Sequence, residues 1–225
     1  MYMEMANRIT VTNVKFEYNV VPTENTTQTA SLVEITNSQL ITFDKCTFDY
    51  NIFPAGIIKA SFNPNFILYD NFLTVDVHLL LKGTTFTKNL INVKADGNAV
   101  VAVVTTFPVN IKLTKDDSLN PCTFEYNHSH VKANVGLYIK TADNTAVFTG
   151  NNGVAAGTWG DHPGSDSAVT IDPTYATLEG VLFRNNWGGS VLIIEGVGTE
   201  LTLYGWSTIN LTDTHFDSNG GYGFS

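Results

Sequence analysis

The sequence predicts an all-β fold, a right-handed parallel β-helix (solenoid) of about seven rungs, and three observations carry that prediction. Seven copies of Phe-x-x-Asn share one register, an apolar pattern runs upstream of them, and the composition favours strands and corners. The copies are Phe16 to Asn19, Phe48 to Asn51, Phe86 to Asn89, Phe124 to Asn127, Phe148 to Asn151, Phe183 to Asn186 and Phe216 to Asn219. Seven of the fourteen Phe residues fall in these copies, so they mark a structural period.

The register extends upstream of the motif. Two residues before each Phe stand Val14, Cys46, Thr84, Cys122, Ala146, Val181 and Thr214, small or β-branched side chains sharing the inward face with the Phe. Seven and five residues before the Phe come Ile9/Val11, Ile41/Phe43, Leu79/Leu81, Ala176/Leu178 and Ile209/Leu211, which read as a second inward-facing strand. The fourth copy keeps only Leu119 of that pair, and the fifth has Thr141 and Asp143 there. Polar or turn-forming pairs such as Thr12-Asn13, Asp44-Lys45 and Lys82-Gly83 separate the two strands and suit a corner. The repeating unit is therefore strand, bend, short strand and Asn turn.

Intervals between successive Phe residues are 32, 38, 38, 24, 35 and 33, so loops vary in length around a constant register, as in a solenoid. A helical solenoid would show a 3.6-residue period, and a sandwich would show turn signals without this stacking. Stacked Phe rings would each bury on the order of 150–250 Å². Asn three residues on is expected to take the left-handed backbone of the corner and to bond along a ladder of like side chains.

Composition agrees. The 29 Thr and 23 Asn far outnumber the 12 Lys plus Arg, so amides and hydroxyls supply the polar surface. Thr favours strands, whereas Asn and Gly favour tight turns. The chain reads as one domain over residues 1–225, with a lead-in at 1–8 and a longer loop region at 150–175. A formal charge of −9 argues against nucleic acid as a partner, because that requires a basic stripe to displace counterions. The most apolar stretch, Val100 to Val104, is far shorter than the roughly 20 residues of a membrane helix, so no membrane insertion is expected. The opening Met-Tyr-Met-Glu-Met lacks the basic and apolar regions of a signal peptide, consistent with a cytosolic chain or with a form whose export signal is missing.

Repeated Phe-x-x-Asn, with Gly-Gly and an apolar pair in Asn186-Trp187-Gly188-Gly189-Ser190-Val191-Leu192 and Gly-Gly again in Asn219-Gly220-Gly221-Tyr222, resembles the passenger repeats of chlamydial polymorphic membrane proteins. Similar repeats occur in surface proteins of some protists. The other five copies lack Gly-Gly, and the resemblance covers about residues 9 to 224. It implies a β-helix displayed at a cell surface, without naming a partner.

β-Helices also carry polysaccharide hydrolases, whose grouped carboxylates include an Asp-Asp pair. Here only Asp116-Asp117 answers, and adjacent residues on a strand face opposite sides, so a solvated charged turn is expected. The loop Thr158 to Asp166, with Trp159, Asp161 and His162, is the best ligand candidate, yet it lacks calcium-loop spacing and reads as an exposed solenoid loop. His128 and His130 share a face without the further ligands zinc needs. Cys46 and Cys122 fall two rungs apart, about 9–10 Å, which is too far for a disulfide. No catalytic residue, metal site or cofactor is expected.

Sequons stand at Asn25, Asn127 and Asn210. Asn210 should point outward and Asn25 sits in a Thr-rich loop, whereas ladder burial and glycosylation compete for Asn127. The seventh motif lies close to Ser225, so the chain is expected either to be a piece of a longer protein or to stack on neighbours through open ends. The functional expectation is a non-catalytic extracellular or cell-surface module, structural or adhesive. Its partners would be further copies, other surface proteins or glycans. The alternatives are a pectin lyase-like enzyme and a carbohydrate-binding module using Trp159, Trp187 or Trp206 as platforms.

Overall fold

The structure, a computed structural model, describes residues 1–4, 6–21, 30–62, 77–91, 98–105, 109–129, 137–141, 174–188, 191–196 and 207–220. Among these the chain is all-β, with parallel pairing in every sheet and no helix. Sheet I contains β2 (Arg8–Thr12), β5 (Leu40–Asp44), β9 (Leu79–Lys82), β13 (Asn110–Thr114), β17 (Thr174–Glu179) and β20 (Ser207–Thr212), in that spatial order. Sheet II contains β3 (Lys15–Glu17), β6 (Thr47–Asp49), β10 (Thr85–Thr87), β14 (Thr123–Glu125), β18 (Leu182–Arg184) and β21 (His215–Asp217). Sheet III is shorter, with β7 (Ile52–Phe53), β11 (Leu90–Ile91) and β15 (His128–Ser129), extended by single bridges at Val20 and Trp187. Sheet IV holds β1 (Tyr2–Glu4), β4 (Ser31–Thr36), β8 (Gly56–Phe62), β12 (Ala99–Thr105), β16 (Leu137–Thr141) and β19 (Leu192–Gly196).

Strands consecutive in sequence lie in different sheets, and each strand pairs with its counterpart from the next repeat. The chain visits sheets I, II, III and IV in turn and then returns to sheet I one layer on. The lead-in expected at 1–8 is itself partly strand, because β1 pairs with β4 and Arg8 opens β2. Of the loop region expected at 150–175, Thr174 and Tyr175 begin β17. The remainder lies outside the described residues.

Among the described residues sheet II has six strands, against about seven rungs expected. Its six strands bring Phe16, Phe48, Phe86, Phe124, Phe183 and Phe216 into register. Centroids of successive rings lie 4.6, 4.9, 4.8, 4.9 and 5.1 Å apart, with planes within 18° of parallel. Phe124 stacks directly on Phe183, and β14 pairs directly with β18. Thr141, which the copy Phe148 to Asn151 would need as a sheet I residue, ends β16 in sheet IV. Phe148 and Asn151 lie outside the described residues.

The fourth copy has its upstream pair after all. Ile111 and Leu113 occupy the positions of Leu79 and Leu81, but lie farther from Phe124 because the corner there is enlarged by Lys115 to Pro121. Leu119, expected inward, is 75% exposed.

The core is built from these columns. Ile41, Leu79 and Ile111 follow one another in sheet I, as do Phe43, Leu81, Leu113 and Leu178, and all are buried. Sheet IV supplies Val33, Ile58, Val101, Leu137 and Leu192 at one register position, none of them exposed. Each fully buried aliphatic or aromatic side chain contributes about 1.5–3 kcal/mol, so stacking like on like multiplies one favourable packing along the column.

Two corners repeat with the layers. The first, between sheets I and II, has left-handed backbone at Asn13, Lys45, Gly83, Gly180 and Asp213, with φ from 49° to 64°. The second follows the Phe strand, and there the structure corrects the conformational role given to Asn. The left-handed residue is the one before it: Tyr18, Tyr50, Lys88, Tyr126, Asn185 and Ser218, with φ from 51° to 57°. The motif Asn is fixed by hydrogen bonds instead.

Candidate functional site

Among the described residues the motif Asn side chains hold neighbouring layers together. Asn89 Nδ2 donates to the Phe48 carbonyl at 2.9 Å and to Asn127 Oδ1 at 3.0 Å, while its backbone N–H donates to the same Oδ1 at 3.1 Å. Asn89 Oδ1 in turn accepts from Asn51 N at 3.1 Å and Asn51 Nδ2 at 3.0 Å. The pattern runs unbroken through Asn19, Asn51, Asn89, Asn127, Asn186 and Asn219. Asn51, Asn89, Asn127 and Asn186 are buried. The ladder has a direction, since Asn19, Asn51, Asn89, Asn127 and Asn186 each donate forward to the oxygen of the next layer.

The position two residues before each Phe forms another column, and Cys or Thr there donates to a carbonyl of the preceding layer. Cys46 Sγ reaches the Val11 carbonyl at 3.3 Å, Thr84 Oγ1 the Phe43 carbonyl at 3.0 Å, and Cys122 Sγ the Leu81 carbonyl at 3.3 Å. Both cysteines are free and buried, with the layer of Thr84 between them. Burial pushes the Cys122 thiol up to about 11, and raises Cys46 as well. A thiol raised on folding stabilises the fold fully below its unfolded value of about 8.5, and that contribution is lost as pH rises through the folded value. Denaturant midpoints of the wild type are therefore expected to fall between pH 9 and 11. Cys122→Val, matching Val181 one layer on, should flatten that slope; equal slopes in both proteins would refute the assignment.

The carboxylates at the enlarged corner are committed to structure. Asp116 is buried, against expectation, and accepts from Ser118 N and Asn120 N at 2.8 Å and from Asn120 Nδ2 at 2.9 Å. The Asn120 amide bond holds its carboxyl below the usual carboxylate range. It occupies space over Gly83, where a Cβ would come within 2.6 Å of Asp116 Cβ. Asp117 is exposed and pairs with Lys82 at 2.6 Å, which lowers it in the same sense. Both groups stay ionised, whereas glycoside hydrolysis needs one carboxyl poised as an acid. Asp44 keeps a buried Oδ1 without a hydrogen-bond partner, in register with Thr12 and Lys82 on the flanking strands. Among the described residues no three His, Cys, Asp or Glu side chains are grouped to hold a metal ion.

The outer surface carries aromatic groups that the motif reading passed over. Tyr18, Tyr50 and Tyr126 lie at the second corner, with Tyr18 stacked on Tyr50 at 5.2 Å and Lys88 Nζ 4.6 Å from the Tyr50 ring centre. The recurrence of Phe-x-Tyr-Asn in three copies was their signal. Trp187 is 63% exposed, and Gly220 lies against its ring where a side chain would collide.

Of the sequons, Asn210 is exposed on β20. Asn127 is corrected as a glycan site: its Nδ2 is buried and donates to the Phe86 carbonyl and Asn186 Oδ1, so a glycan there and the described fold exclude each other. Asn25, His130, Trp159, Trp206 and the loop Thr158 to Asp166 lie outside the described residues.

The outermost layers of sheets I and II are uncovered. Leu211 and Phe216 are 41% and 36% exposed on one face, and Val14 is 37% exposed on the other, although their interior counterparts Leu178, Phe183 and Cys46 are buried. The chain matches no family model, no curated protein and no solved structure.

Proposed function

We propose that the chain is a right-handed parallel β-helix of six rungs and serves as a non-catalytic structural or adhesive module outside the cell or at its surface. The observation that carries this reading is the use of the interior motif residues in stacking. Phe side chains fill one column, and Asn side chains spend their donors and acceptors on the neighbouring layers. A right-handed course follows the strong preference of parallel crossovers. Rungs supply length and rigidity, while the corner tyrosines, Trp187 and an exposed sequon at Asn210 supply an outer surface for other surface proteins or glycans.

Immunogold labelling of unpermeabilised source cells tests the location, and rotary-shadowed electron micrographs of the purified protein test the shape. Surface label and short rods are expected. Label seen only after permeabilisation would overturn display, and globules would overturn the rod.

A further inference from the structure

The two uncovered faces complement each other bond for bond. In the backbone between layers, Asn13, Lys45, Gly83 and Gly180 each donate forward to a carbonyl at the end of the next sheet I strand. Thr47, Thr85, Thr123, Leu182 and His215 donate backward to the column of Val14, Cys46, Thr84, Cys122 and Val181. Tyr18, Tyr50, Lys88, Tyr126 and Asn185 donate forward again. By this rule the face of β20 and β21 presents the N–H groups of Asp213, Ser218 and Asn219, the Asn219 amide donor, and the carbonyls of Thr214 and Phe216. The face of β2 and β3 presents the carbonyls of Thr12 and Glu17, the Lys15 N–H and Asn19 Oδ1. Asn19 Nδ2, with no earlier Phe carbonyl, turns to Glu17 O at 3.3 Å.

We propose that the β20–β21 face docks the β2–β3 face of a second copy in continuous register, extending the ring column and the Asn ladder through the junction. The proposal rests on the stacked β-helix reading and adds its partner and alignment. Phe216 would lie on Phe16, Leu211 under Val11 and Ile209 under Ile9. Asn219 would donate to Asn19 Oδ1, and Asn19 Nδ2 to the Phe216 carbonyl.

Sheet IV fits the same step. It begins with β1, one layer ahead of β2, and among the described strands it ends at β19, one layer short of β20. The second copy's β1 therefore continues sheet IV beside β19. The junction also sets Asp217 against Glu17, a contact between carboxylates that the fold already tolerates where Glu17 pairs with Asp49. The contact is heterologous, because a donor face meets an acceptor face, and repetition gives a filament unless the rotation closes.

Sedimentation velocity on the full chain tests this with one block per face. Val14→Asp closes one face and Leu211→Asp the other; both positions are exposed in a single copy, so the charge is solvated until docking buries it. Wild type is expected to grow beyond dimer with concentration. Each variant alone should stay monomeric, and their equimolar mixture should stop at dimer. Lysine at the same positions, whose stem keeps its charge in water, should repeat the pattern if an aspartate disturbs folding. A monomeric wild type or a monomeric mixture would overturn the proposal, a monomeric wild type leaving the face to a rung of another polypeptide. A dimer formed by either variant alone would overturn it in favour of like-to-like pairing. Short monomeric rods in micrographs would separate failure of this contact from failure of the β-helix reading.

Discussion

Asn89→Ala is expected to cost about 3–5 kcal/mol of folding stability, because truncation strands groups in two neighbouring layers. Asn51 N and Nδ2 would lose their shared acceptor, the Phe48 carbonyl would lose its amide donor, and Asn127 Oδ1 would keep only the Asn89 backbone N–H. None of these groups can turn to water, since Asn51, Asn89 and Asn127 are all buried. Asn19→Ala removes only the donations to Asn51 Oδ1 and Glu17 O in an outer layer, so about 1 kcal/mol is expected there. Urea denaturation of both variants checks the contrast, and equal losses would show that the ladder does not act through burial. Asn89→Asp refines the point. Its carboxylate keeps an acceptor for Asn51 but faces the Phe48 carbonyl and Asn127 Oδ1 without a donor, so its folded pKa should rise. A carboxyl raised on folding contributes stability below its unfolded value of about 3.9 and loses it as pH rises through the folded value. Relative to Asn89→Ala, the aspartate variant should therefore recover on acidification.

The columns of sheets I and II were legible because a stacked fold repeats its inward positions, and Phe16, Phe48 and Phe86 sit at constant offsets from their partners. Two departures show where that reasoning stops. The copy at Phe148 had upstream residues, Thr141 and Asp143, without apolar character, and Thr141 belongs to sheet IV and not to sheet I. The copy at Phe124 failed the upstream test for the opposite reason, because the enlarged corner displaced Ile111 and Leu113 from the expected offset. The left-handed corner falls on the residue before the motif Asn, although Tyr and Lys are poor left-handed residues by propensity. The closed geometry of the turn and the ladder impose φ near +55° on Tyr18, Tyr50, Lys88 and Tyr126 regardless. Sheet IV left no period to read, because its strands are reached through loops of unequal length. The exposed ends of the columns were invisible for a different reason: Leu211 and Phe216 have the same chemistry as their buried counterparts, and only their place in the stack uncovers them.

The order of the ring column yields the second large effect, a coupling between Phe124 and Phe183. Both are fully buried, and their rings stack at 4.9 Å across adjacent layers despite a separation of 59 residues between the matching Asn127 and Asn186. Phe124→Ala and Phe183→Ala are each expected to cost about 3–5 kcal/mol through lost burial and the cavity left behind. The double variant should cost less than the sum by about 1 kcal/mol, because the first truncation already removes the stacking partner of the second. Phe48 and Phe124 provide the control: Phe86 stands between them, so their cycle should close to within about 0.5 kcal/mol. A register with a seventh ring between Phe124 and Phe183 would reverse that expectation for the first pair and leave the second unchanged. Denaturant midpoints for the two cycles thus decide between six layers and seven. They do so from energetics alone.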